Sequence, residues 1–244
     1  MSFLSALFSC TDQAVDINGP NHKSGKKTVI HIDKTVQIEY TLPGGISKQF
    51  GFDSAREQEA RTKYIDLSSL QEDDFEQTKW LDKKFIDAGR WEYLGPKNKG
   101  LSGELAWLNL TLLLNKVNLK GFTEAEIKRD IKDSFLSHIE AENKEIRSHY
   151  PSYSEDNLAH VLISPPKSFE WLDINTSRML TWLSNEVKGA PSRYYILPLS
   201  QHYAVSIIIS HHISVNDDKL RELITQRIQD DTALILESFV ISKK

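Results

Sequence analysis

Apolar and polar positions alternate most clearly between residues 103 and 116. Ala106, Leu108, Leu110, Leu112 and Leu114 take every second place, and Trp107, Asn109, Thr111 and Asn115 fall between them. A period of two puts the leucines on one face of a strand and the polar groups on the other. Leucine and alanine also favour helix, but the alternation decides for strand. Past Gly121 the period changes. Ile127, Ile131, Phe135 and Ile139 recur every four residues, Leu136 widens the stripe, and Lys128, Arg129, Lys132, Asp133 and Glu140 lie off it. This spacing predicts an amphipathic helix. Thr123, followed three residues later by Glu126, has the form of a capping box at its start. The simplest surface for that helix is the leucine face of the strand before it.

The rest of the chain follows the same logic. Residues 11–27, with Gly19, Pro20 and Gly25, read as a loop. Residues 28–32 and 35–42 are rich in β-branched side chains and read as strands. Pro43-Gly44-Gly45 is a turn signal, so a strand at 46–52 would close a hairpin over 35–52. Residues 53–72 are charged and weakly periodic. Asp73-Asp74 predicts the start of a helix running to about Ala88 and stopped by Gly89, followed by a strand at 91–94 and a turn at 96–100. Beyond the break at 150–156, strands are expected at 158–163, 169–173, 194–197 and 203–215. A helix is expected from Thr176 to Val187, with Met179, Leu180, Leu183 and Val187 on one side. Asn216 or Asp217 caps a last helix with Leu220, Leu223, Ile224 and Ile228 inside. Residues 232–241 fit either a final strand or more of that helix.

These elements define an α+β fold of antiparallel sheets packed on amphipathic helices. Two stretches share an order of events. The strand at 91–94 leads to the leucine strand and the helix from Thr123, and the strand at 194–197 leads to the strand at 203–213 and the last helix. Two pseudo-repeated strand-strand-helix units would suit the length of the chain. The corresponding division is an N-terminal segment and loop at 1–27, one α+β unit at 28–150 and a second at 151–244, with one continuous domain as the alternative.

Composition narrows the function classes. The chain has 244 residues, 39% hydrophobic and 26% charged, values ordinary for a globular protein. Its formal net charge of −4 argues against a general nucleic-acid binder, whose affinity rests on neutralising phosphates. Cys10 is the single cysteine, so no internal disulfide forms and a reducing compartment is favoured. No apolar run approaches the length of a membrane span. Residues 1–9 ahead of Cys10 resemble a signal peptide with a lipobox, but they lack a basic start and are short. Phe3, Leu4, Leu7 and Phe8 are therefore read as an amphipathic segment packing on the body. The expected location is cytoplasmic, with a periplasmic lipoprotein as the alternative if Cys10 is processed.

Candidate chemistry is sparse. His202, His211 and His212 are the densest histidine group. On a straight strand His202 and His212 stand about 33 Å apart, and His211 and His212 point to opposite sides, so neither pair ligates one metal. His212-Ile213-Ser214 resembles the His-x-Ser element of two-histidine phosphoesterases, which implies a second copy on a paired strand. His31-Ile32-Asp33 lacks the hydroxyl, and His22-Lys23-Ser24 lies in the expected loop. The pairs Asp73-Asp74, Asp217-Asp218 and Asp230-Asp231 suit helix ends and solvation rather than acid–base work. No nucleophile elbow surrounds Ser200 or Ser210, and Gly44-Gly45 has neither the helix entry nor the lysine of a phosphate loop. Asn109-Leu110-Thr111 and Asn175-Thr176-Ser177 match glycosylation acceptors, which matter only in a secretory setting.

Of the five tryptophans, core filling accounts for at least three. Trp107 stands apart because it shares the polar strand face with Asn109 and Thr111. His202, Ser206, Ser210 and His212 share the polar face of the 203–215 strand. These seven residues form the expected contact surface for another protein. The resulting expectation is a non-catalytic binding module without metal or cofactor, such as a bacterial immunity or adaptor protein. A hydrolase using the histidines of the 202–212 strand, phosphoesterase-like or metal-dependent, is the alternative.

Overall fold

The computed structural model describes residues 17–45, 61–78, 80–95, 103–158, 161–175, 177–187 and 190–243. Its strands are β1 (Asn21–Ile32), β2 (Val36–Gly44), β3 (Arg61–Ile65), β4 (Lys83–Leu94), β5 (Glu104–Lys116), β6 (Glu170–Ile174), β7 (Ser177–Val187), β8 (Ala190–Pro198), β9 (Tyr203–Ile213) and β10 (Val240–Lys243). Its helices are α1 (Glu124–His149), the single turn α2 (Glu155–Leu158) and α3 (Asp218–Glu237). The fold is mixed α+β, with more of the chain in sheet than in helix.

The strands form two sheets. One has four strands in the order β10-β2-β1-β3, and the other has six in the order β4-β5-β9-β8-β7-β6. Neighbours in the larger sheet are all antiparallel. In the smaller sheet β1 and β3 run parallel. Strands from before and after residue 150 meet in both sheets, through β5 with β9 and β2 with β10.

Two cores lie on the two faces of the larger sheet. On the leucine face, Ala106, Leu108, Leu110, Leu112 and Leu114 are all buried, as the alternation predicts. Each leucine contributes about 1.5–3 kcal/mol on burial. They pack with Val205, Ile207 and Ile209 of β9, Ile30, Ile38 and Tyr40 of the smaller sheet, and Leu220, Ile224, Ile228 and Ile235 of α3. Buried hydrogen bonds also tie the two sheets together. The Trp91 indole donates to the Pro43 carbonyl at 3.1 Å, and the Tyr40 hydroxyl donates to Asp87 at 2.6 Å.

Helix α1 begins as expected. Thr123 accepts from the Glu126 amide at 3.3 Å, and Glu126 accepts from the Thr123 amide at 3.1 Å. Its stripe of Ile127, Ile131, Phe135 and Ile139 is buried, but not on the leucines. It packs with Val117, Leu119, Phe169, Leu180, Trp182, Tyr194 and Ile196 on the opposite face. The leucine face is already filled by α3 and the smaller sheet. The surface that receives α1 is assembled mainly from β7 and β8, far along the chain.

Two expected helices are strands. The helix placed at 73–88 is a short 3-10 turn at Glu72–Asp74 followed by β4. A bulge between Phe85 and Asp87 breaks the register there, and Ile86, Asp87, Ala88 and Gly89 are buried in succession. A bulged strand buried on both faces shows no period of two. The helix placed at 176–187 is β7. Met179 faces the first core while Leu180 and Trp182 face the second, so consecutive apolar residues are all inside.

Other boundaries move as well. Residues 21–27, read as loop, belong to β1, and the paired 28–32 and 36–42 segments form the hairpin with each other. The strand expected at 46–52, and with it the far arm of the 35–52 hairpin, lies outside the described residues. So does the segment Met1–Cys10. Within the stretch at 53–72, β3 emerges at 61–65. Of the strand expected at 158–163, Leu158 is the last residue of α2, residues 161–163 are not in a strand, and residues 159–160 lie outside the described residues. Asp217 caps α3 by accepting from the Leu220 amide at 2.8 Å. Residues 232–241 are both things: α3 continues to Glu237 and β10 follows. In chain order β4 and β5 precede α1, and β8 and β9 precede α3, but α1 and α3 lie on opposite faces of the sheet. No helix among the described residues is long and apolar enough to cross a membrane.

Candidate functional site

β5 and β9 lie side by side within the larger sheet. Their register pairs Trp107 with His212, Asn109 with Ser210, Thr111 with Ile208, and Leu113 with Ser206. Trp107, Asn109, Thr111, Ser206, Ser210 and His212 therefore share the face opposite the leucines. His202 does not join them. It is exposed in the turn before β9, where its carbonyl accepts from the Val117 amide at 2.9 Å. His211 projects to the leucine side with Ile209.

Trp107 is partly exposed, and its ring is held by two neighbours. The Arg90 guanidinium lies 4.6 Å from the ring centre, and the His212 ring centre is 6.0 Å away. Arg90 is positioned by strand register, opposite Asn109 on β4, and its Nη2 sits 3.4 Å from Glu104. A cation over an indole face stabilises by about 0.5–1 kcal/mol when exposed and about 2 when desolvated. The Arg90 side chain is only 12% exposed, which puts this contact between those limits. Asn109 Oδ1 is buried with no hydrogen-bond partner among the described residues. Thr111, Ser210 and His212 are partly exposed.

Ser206 belongs to a different environment. It is 2% exposed and hydrogen-bonded to Asn115. Both line a cleft of about 280 Å³ under α1, together with Trp80, His138, Glu142 and Tyr194. Trp80 sits edge-on to Phe135 at 4.7 Å and to Trp182 at 5.8 Å, so aromatic rings close one wall. One sheet face thus has two regions: a buried end under α1, and an end around Trp107 where polar side chains reach the surface.

Sequence reasoning missed Arg90 and Glu104 as companions of Trp107. The signal is in Gly89-Arg90-Trp91-Glu92-Tyr93, whose alternation extends the strand expected at 91–94 back to Arg90, but a helix ending at Gly89 leaves Arg90 outside it. His22 was also missed. It lies in β1, and its Nε2 is 2.8 Å from Oδ1 of the buried Asp231. The Tyr93 hydroxyl donates to Oδ2 of the same carboxylate at 2.9 Å, and Arg227 donates at 3.1 Å. Burial, followed by the charge of Asp231, pushes the Tyr93 phenol far above its ordinary value, so it stays a donor.

The histidine motif is not duplicated on neighbouring strands. His212 is on the larger sheet, whereas His31 is on the smaller one and stacks on Tyr64 at 4.8 Å. Among the described residues, no group of three or more histidine, cysteine, aspartate or glutamate side chains is placed to hold a metal ion. No family model, no curated protein and no solved structure matches this chain.

Proposed function

We propose that this protein is a non-catalytic binding module that acts by occupying another protein, in the manner of a bacterial immunity or adaptor protein. Its contact surface is the Trp107 end of the six-stranded sheet, with Asn109, Thr111, Ser210 and His212 around the ring. The observation that carries this reading is the Arg90–Trp107–His212 cluster on adjacent strands. Tryptophan and arginine dominate the binding energy of protein interfaces. Here both are presented by paired strands rather than loops, so little rotamer freedom remains to be lost on association.

Site-specific photo-crosslinking in the source cell tests this. A photoreactive residue at Thr111 is expected to trap one protein partner, whereas the same residue at exposed Lys132 on α1 traps none. Equal yields at the two positions, or no adduct at Thr111, would remove the contact surface. With the partner in hand, Trp107→Ala is expected to weaken binding by about 2 kcal/mol or more.

A further inference from the structure

The leucine side of the larger sheet carries a second concavity. Where β7, β8 and β9 run past the first core, α3 lies across them and leaves a cleft of about 380 Å³. Its walls are Leu183, Ile209, Ile228, Ala233 and Leu236. Gln229 and Thr232 of α3 interrupt this apolar lining, as do three polar side chains of the sheet: Arg193, Tyr195 and His211.

These three are uncommitted. Among the described residues, the side chains of Arg193, Tyr195 and His211 form no hydrogen bond, and Arg193 forms no ion pair. The cross-strand neighbours of Arg193 are Leu183 on β7 and Ile209 on β9. Arg193 is exposed at the mouth of the cleft, and among the described residues no carboxylate pairs with it. Tyr195, two residues further along the same face, is 3% exposed. Burial pushes its phenol up to about 12, with the nearby Arg193 charge pulling the other way.

We propose that this cleft binds a small amphiphilic monocarboxylate, its apolar body lying between α3 and the sheet and its carboxylate held by Arg193. Several features support this. The volume falls within the range of roughly 300–1,000 Å³ typical of small-ligand pockets, and a mostly apolar lining with a few convergent polar groups is their usual composition. The planar guanidinium matches a carboxylate in two-point geometry. A single uncompensated cation selects a single charge, and the Tyr195 hydroxyl supplies an additional donor. The site is on the opposite face of the sheet from Trp107, so it stands or falls independently of partner binding there.

The test is titration of decanoate, below its micellar range, into the full chain by calorimetry, with decan-1-ol as the uncharged control. Saturable 1:1 uptake of decanoate is expected, with decanol clearly weaker. Arg193→Gln is expected to reduce decanoate affinity by about tenfold or more and to leave decanol unchanged. Ala233→Phe, which fills the cleft from an exposed helix position, is expected to abolish both. Circular dichroism melts establish that each variant is folded. A photoreactive diazirine analogue of decanoate locates the site in the unmodified protein by labelling α3 or β8. Absence of saturable uptake, uptake insensitive to R193Q, or label confined to other elements would each overturn the proposal.

Discussion

Tyr93 and Asp231 lie 138 positions apart, and they meet in the first core, where the Tyr93 hydroxyl donates to Oδ2 of Asp231 at 2.9 Å. Tyr93 comes from β4 and Asp231 from α3, so this bond fixes the helix against the sheet. Both residues are almost wholly buried, at 0% and 2% exposed. Tyr93→Phe keeps the ring and removes the donor. It is expected to cost about 1.5–3 kcal/mol, the range for a hydrogen bond to a charged group. Urea unfolding of Y93F, D231N and the double variant measures the coupling. A loss below about 0.5 kcal/mol in Y93F, no more than an ordinary surface substitution, would show that His22 and Arg227 satisfy Asp231 without the phenol.

The Arg90–Trp107 contact makes a different prediction, because it lies at the surface. Arg90→Ala and Trp107→Ala are each expected to cost little stability, on the order of 1–2 kcal/mol, and their coupling should be about 0.5–2 kcal/mol. Their effect on partner binding should be larger than their effect on folding. A double-mutant cycle on both quantities separates the roles. A variant that loses as much folding free energy as binding free energy would mark Trp107 as a packing residue.

His211 ties stability to pH. Burial, and then the neighbouring His212, hold its imidazole below the ordinary value. A depressed histidine favours the folded state only while it is neutral. Its contribution is complete above about pH 6.5, the ordinary histidine value, and is lost as the pH falls through the depressed folded value. The expected outcome is that the wild type loses stability as the pH falls below about 6.5, and that His211→Gln shows a shallower decline there. Urea midpoints at several pH values decide it. Parallel curves for the two proteins would place the titrating group elsewhere.

These contrasts show what was legible in the chain. β5 and β9 were readable because each has one apolar and one mixed face, and α1 because its stripe and capping box coincide. The six residues assigned from those two strands accordingly fall on one face. What failed was set by tertiary burial. β7 is covered on both sides, so Met179, Leu180, Thr181 and Trp182 are consecutive buried residues, which mimics a helix interior. Alternation alone puts Ser206 on the polar face of β9, and nothing in that strand shows that α1, from another part of the chain, covers it. The partner of α1 was misjudged for the same reason: its receiving surface is spread over residues 169–204.

Gly89 offers a test of the packing around β4. Gly→Ala inside an exposed helix stabilises by up to about 1 kcal/mol, whereas in β4 the added methyl meets a buried ring. A Cβ on Gly89 would sit 2.6 Å from Cη2 and 2.8 Å from Cζ2 of Trp91. Trp91 is fully buried, and its indole nitrogen is bonded to the Pro43 carbonyl of the other sheet. The ring therefore cannot yield without opening that bond or compressing the core. Overpacking of this kind costs about 1–3 kcal/mol, and losing the indole bond adds to it. Gly89→Ala is expected to lower the urea midpoint and to shift the near-ultraviolet circular dichroism of Trp91. Gly89→Ala combined with Trp91→Phe, which removes the clashing ring atoms, is expected to recover part of the loss relative to the sum of the two single changes. A neutral or stabilised G89A variant would rule out the close packing of Trp91 on Gly89.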